Sequence, residues 1–177
     1  FVEILIKEVN RLDTVVADFL DFAKPKPPEL KSSKINDIIL SVLKLTEHQI
    51  TRSRIDLKTK LKDSLPSVYV DPEQIKQVFL NLIINAVEAM PEGGVLEAGS
   101  HRNDSEIVCT FSDTGTGISK EQEENLFTPF FTSKTKGTGL GLAIAYRILE
   151  NHKGKIKFST KEDAGTTFTV CLPIETD

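Results

Sequence analysis

Two asparagines four residues apart, Asn81 and Asn85, occur where the spacing of apolar residues predicts a helix over residues 72–90. They share the polar face of that helix with Gln74, Gln77 and Glu88. Asparagine is a poor helix former, and a face that only meets water is better served by lysine or glutamate. An amide oxygen can instead bind a hard cation such as Mg²⁺ without adding charge beside a phosphate. Taken alone, the segment fits either a solvated face or a metal-binding face.

The sequence D-T-G-T-G at residues 113–117 directly follows a strand pattern. An aspartate at the end of a strand, here Asp113, can accept a hydrogen bond from an exocyclic amine. Gly115 and Gly117 permit close backbone approach or a positive φ. An ordinary Asp/Gly turn is the competing interpretation.

A second glycine-rich segment, G-T-G-L-G-L at residues 137–142, opens a predicted helix over 139–151. Backbone N–H groups at a helix N-terminus bind phosphate, and Lys134 and Lys136 add positive charge just before it. The segment is not a Walker A motif, and a polar loop rather than a strand precedes it, which argues against a Rossmann turn.

Three aromatic residues, Phe127, Phe130 and Phe131, lie in the polar stretch between the two glycine-rich segments. They fit either a small satellite core or the hinge of a lid that closes over a ligand.

Apolar periodicity assigns the elements that must position these residues. Helices are predicted over 35–51, 72–90 and 139–151, with a further short helix in a polar loop over 114–137. Strands are predicted over 55–61, 67–70, 94–102, 106–112, 155–161 and 166–172, the last two as a hairpin. The second helix is marked by Asp71 as its cap, Pro72 at its first position and Gln74 reaching back to the cap. The order predicts an α+β fold, a two-layer α/β sandwich in which a mixed sheet of about five strands packs on three helices.

One long helix is predicted ahead of this sandwich, over residues 1–23. Its apolar residues alternate in steps of three and four, as in the seam of a helical bundle: Val2, Leu5, Val9, Leu12, Val16, Phe19 and Ala23. The strict alternation favours a bundle over a helix docked on its own domain. Prolines at 25, 27 and 28 end the helix. The predicted domains are therefore a bundle helix at 1–24, a linker at 25–32 and an α/β domain at 33–177.

The bulk composition excludes several classes of function. A net charge of −4 argues against general nucleic-acid binding, which needs a basic surface. No apolar run approaches the roughly 20 residues that span a bilayer. Cys109 and Cys171 lie in strand patterns and are expected to be reduced core residues. The histidines have no ligand-like spacing with them, which argues against a zinc site.

The order of the motifs resembles the ATP-binding domain of sensor histidine kinases, in the superfamily shared with gyrase B, Hsp90 and MutL. LNLIINAVEAM is similar to the family's asparagine box, SDTGTGI to its first glycine box, FTPFF to its phenylalanine box, GTGLGL to its second glycine box and AGTTF to its last. NRLDTVVADFLDFAKP resembles the second helix of the dimerisation and histidine-phosphotransfer region. The resemblance covers about residues 33–173 and, with that helix, nearly the whole chain.

This resemblance implies a site for ATP and Mg²⁺. In that site Asn85 binds the metal, Asn81 reaches phosphate or metal, and Asp113 accepts from the adenine amine. Residues 119–137 form a lid over the nucleotide. The other implied nucleotide contacts are Gly115, Gly117, Ile118, Lys134, Gly137, Thr138, Gly139, Leu140, Gly141 and Thr166.

The resemblance also implies an activity: transfer of the γ-phosphoryl group of ATP to a histidine on a dimerisation domain, for onward transfer to a response regulator. The implied partners are that phosphoacceptor domain, a second kinase chain in a homodimer and a receiver domain, with no nucleic acid. The chain would be a cytoplasmic portion, and membrane anchoring of a longer protein stays open. The family's phosphoacceptor lies in the bundle helix before the one found here, and His48 is interpreted as structural. No catalytic residue and no self-phosphorylation are therefore expected in this chain.

Two departures from the family pattern bear on rival functions. Glu88 stands where some members carry Lys or Arg, three residues after the metal-binding asparagine. Gyrase- and Hsp90-like ATPases place a glutamate base four residues before that asparagine, where this chain has Asn81, and an amide cannot take a proton at neutral pH. A degenerate nucleotide-sensing module is a third hypothesis, which the intact boxes disfavour.

Overall fold

The computed structural model describes residues 26–132 and 137–174, and ahead of them Val2, Ile6, Val9, Leu12, Asp13, Val16, Phe19, Leu20 and Ala23. These N-terminal residues are all helical and all exposed. The other residues of the predicted helix over 1–23 lie outside the described part of the chain. No helix among the described residues is long and apolar enough to cross a membrane.

The elements after the linker follow the predicted order closely. The helices are α1 (Ile35–Arg52), α2 (Pro72–Ala89), α3 (Lys120–Glu123) and α4 (Gly141–Asn151). The strands are β1 (Lys31–Ser33), β2 (Ile55–Leu61), β3 (Val68–Val70), β4 (Gly94–Asn103), β5 (Glu106–Asp113), β6 (Lys155–Lys161) and β7 (Gly165–Pro173). Helix α4 begins two residues later than predicted, and β1 was not predicted because three largely exposed residues carry no apolar alternation.

Five strands form one mixed sheet in the order β2-β4-β5-β7-β6. Strands β2 and β4 are parallel, and the other neighbours are antiparallel, including the predicted hairpin of β6 and β7. Helices α1, α2 and α4 pack against the sheet. This confirms the two-layer α/β sandwich. A separate two-stranded sheet pairs β1 with β3.

Helix α2 lies at the centre of the core. Its apolar stripe is fully buried, and Phe79 meets Phe111 of β5 with the ring centroids 5.1 Å apart. Burial of that stripe turns the opposite face, which carries Asn81 and Asn85, away from the sheet, and both asparagines are partly exposed. The packing of α2 thus fixes where the asparagine pair can act.

The start of α2 is capped partly as predicted. Asp71 Oδ1 accepts from the N–H groups of Glu73 and Gln74, and Pro72 is the first helical residue. The prediction that Gln74 reaches back to Asp71 is wrong. The N–H of Asp71 instead donates to Nε2 of His152, and the Gln74 amide donates to the carbonyl of Lys26 in the linker.

Strands β2 and β6 are the two edges of the five-stranded sheet. Both carry exposed lysines: Lys58 and Lys60 on β2, and Lys155, Lys157 and Lys161 on β6. Charged side chains of this kind are typical of sheet edges that do not pair with another chain.

Candidate functional site

Asp113 is the last residue of β5 and is buried, with 6% of its surface exposed. Its Oδ1 accepts from the N–H of Gly115 at 2.8 Å and from the N–H of Thr166 at 3.3 Å. The carboxylate therefore ties the D-T-G-T-G loop to the start of β7. Three of the residues predicted for the site meet at this point, with Thr166 lying 53 residues after Asp113 in sequence.

The D-T-G-T-G loop packs closely against its neighbours. Gly117 has φ +69°, and a Cβ there would collide with the carbonyl group of Lys161. The N–H of Thr116 donates to the carbonyl of Ala89 at the end of α2 at 3.1 Å. This loop is therefore held in place by backbone contacts on two sides.

A pair of threonine hydroxyls extends this arrangement to Ile118. Thr166 is buried, and its Oγ1 lies 2.9 Å from Oγ1 of Thr160 on β6. Thr160 Oγ1 also accepts from the N–H of Ile118 at 2.9 Å. Sequence reasoning missed Thr160, because its position in an exposed-looking edge strand gave no signal that its hydroxyl joins two parts of the candidate site.

Asn81 connects α2 to the second glycine-rich segment. Its Nδ2 donates to the carbonyl of Gly141, the first residue of α4, at 2.9 Å. Asn85 lies one turn further along α2 on the same face. The structure thus brings Asn81 to the N-terminus of α4, with Asn85 on the same face of α2.

Leu140, the N-cap residue of α4, makes no side-chain capping hydrogen bond. The first-turn N–H groups of a helix have no intrahelical acceptor and attract an anion. Leu140 is buried and anchors the helix start, while its N–H donates to Thr138 Oγ1 at 3.3 Å. Gly139 adopts φ +68°, and its carbonyl accepts from the N–H of Phe130 at 3.0 Å. Gly137 is exposed, and Lys134 and Lys136 lie outside the described residues.

Two of the three phenylalanines before α4, Phe127 and Phe130, have different surroundings. Phe127 packs between Tyr146 of α4 and Phe158 of β6, with ring centroids 5.5 and 6.0 Å away. Phe130 is 58% exposed and has φ +66°. Phe127 therefore belongs to a small aromatic cluster, whereas Phe130 lies at the surface where the chain turns toward Gly139.

The donor set near Asn85 suits a metal that arrives with phosphate oxygens. No group of three His, Cys, Asp or Glu side chains that could hold a metal occurs in the described part of the chain. Amide oxygens on α2 and the N-terminus of α4 fit a hard cation bound to a phosphate chain better than a cation held by protein alone.

Cys109 and Cys171 are free and buried, and burial raises the pKa of the Cys109 thiol.

The chain matches the family of histidine kinase-, DNA gyrase B- and HSP90-like ATPases over residues 70–176. That range contains the asparagine pair, Asp113 and all the glycine-rich segments. The chain belongs to this family.

Individual relatives are sensor histidine kinases. The sensor histidine kinase ZraS of Escherichia coli K12 is 36% identical over 172 residues, and the match covers 97% of this chain but only 37% of that protein. Full-length ShkA, solved in complex with AMPPNP, has a TM-score of 0.88 at 25% identity over 99% of this chain and 38% of its own. Histidine kinase ThkA, solved in complex with response regulator protein TrrA, has a TM-score of 0.82 at 31% identity over 97% of this chain and 50% of its own.

Proposed function

We propose that this chain is the ATP-binding part of a sensor histidine kinase, which binds Mg-ATP and donates its γ-phosphoryl group to a histidine on a dimerisation domain. The observation that carries the proposal is the hydrogen bond from Asn81 Nδ2 to the carbonyl of Gly141. It joins Asn81 of α2 to the N-terminus of α4. In the proposed site, the amide oxygens of α2 would serve a metal and the N–H groups of α4 would serve phosphate.

Each end of the nucleotide has a proposed partner. Asp113 accepts from the adenine amine, in a pocket walled by Gly115, Gly117, Ile118 and Thr166. Residues 137–141 and Asn81 surround the phosphates, with Lys134 added from the lid at 119–137. Asn85 contributes an oxygen to Mg²⁺. The metal would neutralise charge on the phosphoryl group as it transfers.

In the proposed reaction the bond from the γ-phosphorus to the ADP oxygen breaks as a phosphorus–nitrogen bond forms on an imidazole. The chain positions the donor and supplies no acceptor. His152 is buried and both of its ring nitrogens are hydrogen-bonded, and His48 and His101 are exposed on α1 and β4, away from the asparagine pair in sequence. We expect none of the three to be phosphorylated.

Hydrolysis is disfavoured by the same residue that joins the two helices. Asn81 occupies the place where gyrase- and Hsp90-like relatives carry a glutamate base, and an amide cannot take a proton from water. Losing general-base assistance typically costs ~10²–10⁴-fold in rate. The chain should therefore hold ATP for transfer with little loss to water.

The proposed organisation assigns residues 1–24 to the second helix of a dimerisation bundle, 25–32 to a linker and 33–177 to the ATP-binding domain. The proposed partners are a phosphoacceptor domain, a second kinase chain and a response regulator. The similarity to ThkA, which was solved with a response regulator, supports the last of these.

The test is incubation of the chain with γ-labelled Mg-ATP, alone and with a phosphoacceptor helix added as a separate chain. We expect no label on the chain alone, and an acid-labile, base-stable label on the added histidine. Variants His48→Gln and His101→Gln serve as matched controls, because both histidines are exposed and should not matter.

Two outcomes would replace the proposal. Rapid release of phosphate without labelled protein would favour an ATPase. Tight binding of Mg-ATP with neither transfer nor hydrolysis would favour a nucleotide-sensing module.

A further inference from the structure

Asp71 joins three parts of the chain through three of its polar atoms. Its Oδ1 caps α2, as described above, while its Oδ2 accepts from the N–H of Glu29 in the linker at 3.0 Å. Its N–H donates to Nε2 of His152, just beyond the end of α4, at 3.0 Å. The linker, the start of α2 and the end of α4 therefore meet at one residue.

His152 is held in the tautomer whose Nε2 can accept the hydrogen bond from Asp71. The ring is 4% exposed, and its Nδ1 lies 2.7 Å from the carbonyl oxygen of Ile148. A carbonyl can only accept, so Nδ1 carries the hydrogen and Nε2 is free to accept from Asp71. The imidazole thus bridges α4 to the residue that holds the linker.

Gln74 provides a second attachment for the linker. Its Nε2 donates to the carbonyl of Lys26 at 3.1 Å, while its Oε1 is buried with no hydrogen-bond partner among the described residues. Reversing the amide would place Oε1 against the Lys26 carbonyl, so the linker bond dictates the orientation even though an acceptor is left unpaired. A cavity of about 300 Å³ lies beside it, between the linker, α2 and α4.

Hydrogen bonds hold this linker more than burial does, because Pro28 is its one partly buried residue between Lys26 and Leu30. Lys26, Pro27, Glu29 and Leu30 are all exposed. The attachment continues into β1, where Lys31 pairs with Val70 directly before Asp71. The backbone from Lys26 to Ser33 is therefore bound to the domain at successive points.

The two helices that meet the linker at this junction, α2 and α4, also form the candidate site. Asp71 and Asn81 lie on the same helix, about 15 Å apart at 1.5 Å per residue. His152 follows α4, whose first residue, Gly141, contacts Asn81. A displacement of the linker would be transmitted to both helices that flank the proposed phosphate site.

We propose that Asp71 is a positioning residue that locks the linker onto the ATP-binding domain, so that the N-terminal helix and the nucleotide site keep a set relative orientation. This rests on the proposed function, in which the donor must reach a histidine beside that helix. Releasing the linker should slow transfer while leaving nucleotide binding intact.

The sharpest variant is Glu29→Pro, which removes the backbone N–H that faces Asp71. Glu29→Ala is its matched control, because it removes the same side chain and keeps the N–H. Gln74→Met is a second variant, which removes the Lys26 contact at similar side-chain volume. If Glu29→Pro shows no cooperative thermal unfolding, Gln74→Met decides whether the linker is locked onto the domain.

The measurement is a distribution of distances between spin labels at Asp13 and Glu150, both exposed, with labelled chain diluted into unlabelled chain. Wild type and Glu29→Ala should give the same narrow distribution, and Glu29→Pro and Gln74→Met a broader one. Equal widths in all four chains would overturn the proposal.

Kinetics separate positioning from binding. With a phosphoacceptor helix supplied, Glu29→Pro should lower kcat by about tenfold to a hundredfold with KM for Mg-ATP unchanged. A broader distribution with unchanged kcat would overturn the positioning role. If no chain binds Mg-ATP, the proposed function fails, and the distances alone decide whether Asp71 locks the linker.

Discussion

At the scale of single residues, Asp113 serves both the fold and the candidate site. Its Oδ1 accepts from two backbone N–H groups, and asparagine can keep those bonds. Under the proposed function, asparagine would also place a donor where the adenine amine needs an acceptor. We expect Asp113→Asn to weaken Mg-ATP binding by about 10- to 100-fold, the range for a hydrogen bond to a charged group. Calorimetry measures the affinity.

Asp113→Ala is the comparison that separates the two roles. It should lower both the affinity and the melting temperature, because it releases the loop from β7, whereas Asp113→Asn should lower mainly the affinity. Wild-type affinity in Asp113→Asn would remove Asp113 from the adenine site.

The ionisation of Asp71 should make the stability of the fold depend on pH. Partial burial raises the pKa of the Asp71 carboxyl, but hydrogen bonds from the N–H groups of Glu29, Gln74 and Glu73 outweigh burial and lower this pKa below its usual value of 3.8. A lowered pKa in the folded state means that the carboxylate stabilises the fold fully above pH 3.8. This contribution is lost as the pH falls through the lowered pKa.

At about pH 6, Asp71→Asn should therefore unfold at a lower urea concentration than wild type. At about pH 3, the difference in urea concentration between the two chains should be smaller. The measurement is urea unfolding followed by circular dichroism at both pH values. A difference that stays constant would mean that ionisation of Asp71 does not contribute.

At the scale of elements, the turn into α4 offers a matched pair of glycines. A Cβ on Gly139, which has φ +68°, would lie 2.5 Å from the carbonyl carbon of Phe130. A Cβ on Gly141 would lie 3.5 Å from Cγ of Asn81, an ordinary contact. We expect Gly139→Ala to destabilise the fold by about 1–3 kcal/mol and Gly141→Ala to leave it nearly unchanged.

Thermal or urea unfolding of the two variants checks this prediction. Equal stability would show that the segment between Phe130 and α4 can relax to accept a side chain at residue 139. Such relaxation would weaken the case that this turn holds the phosphate-binding segment in one shape.

Element positions were predictable from sequence where local physics determines them. Helix α2 was predicted within one residue at its end, because a strong apolar stripe follows an aspartate cap and a proline. The order of strands was not predictable, since the parallel neighbour of β2 is β4 and nothing in either strand specifies that pairing. Strand β1 forms because β3 lies alongside it, and its own residues give no signal.

The candidate site was predictable to a similar extent. The motifs named Asp113, Asn81 and the glycines as candidates, since those residue types are unusual at their positions, and in the structure Asp113 contacts Gly115 and Asn81 contacts Gly141. The junction of Asp71 with His152 was missed because the two residues are 81 apart in sequence. The cap assignment of Asp71 was correct, but it accounted for only one of the two carboxylate oxygens.

At the scale of the whole molecule, the N-terminal helix suggests association. Its described apolar residues, among them Val9, Leu12 and Val16, are 49–67% exposed, and a helix cannot leave such a stripe in water at no cost. We expect a weak dimer in sedimentation equilibrium. Leu12→Lys should abolish this dimer. Asp13→Lys introduces the same side chain at the next exposed position and should leave the dimer intact.

A monomer at high concentration in wild type would contradict this prediction. It would show that the N-terminal helix alone is insufficient for association.

The lysines on the two edge strands limit how else the chains can meet. An unprotected strand edge is a template on which further chains add, leading to fibres and precipitates. Here exposed lysines lie on both edge strands: Lys58 and Lys60 on β2, and Lys155, Lys157 and Lys161 on β6. At high concentration, repulsion between these lysines should disfavour pairing of one molecule's sheet edge with another's. Association through the N-terminal helix, if the expected dimer forms, would instead stop at a defined number of chains.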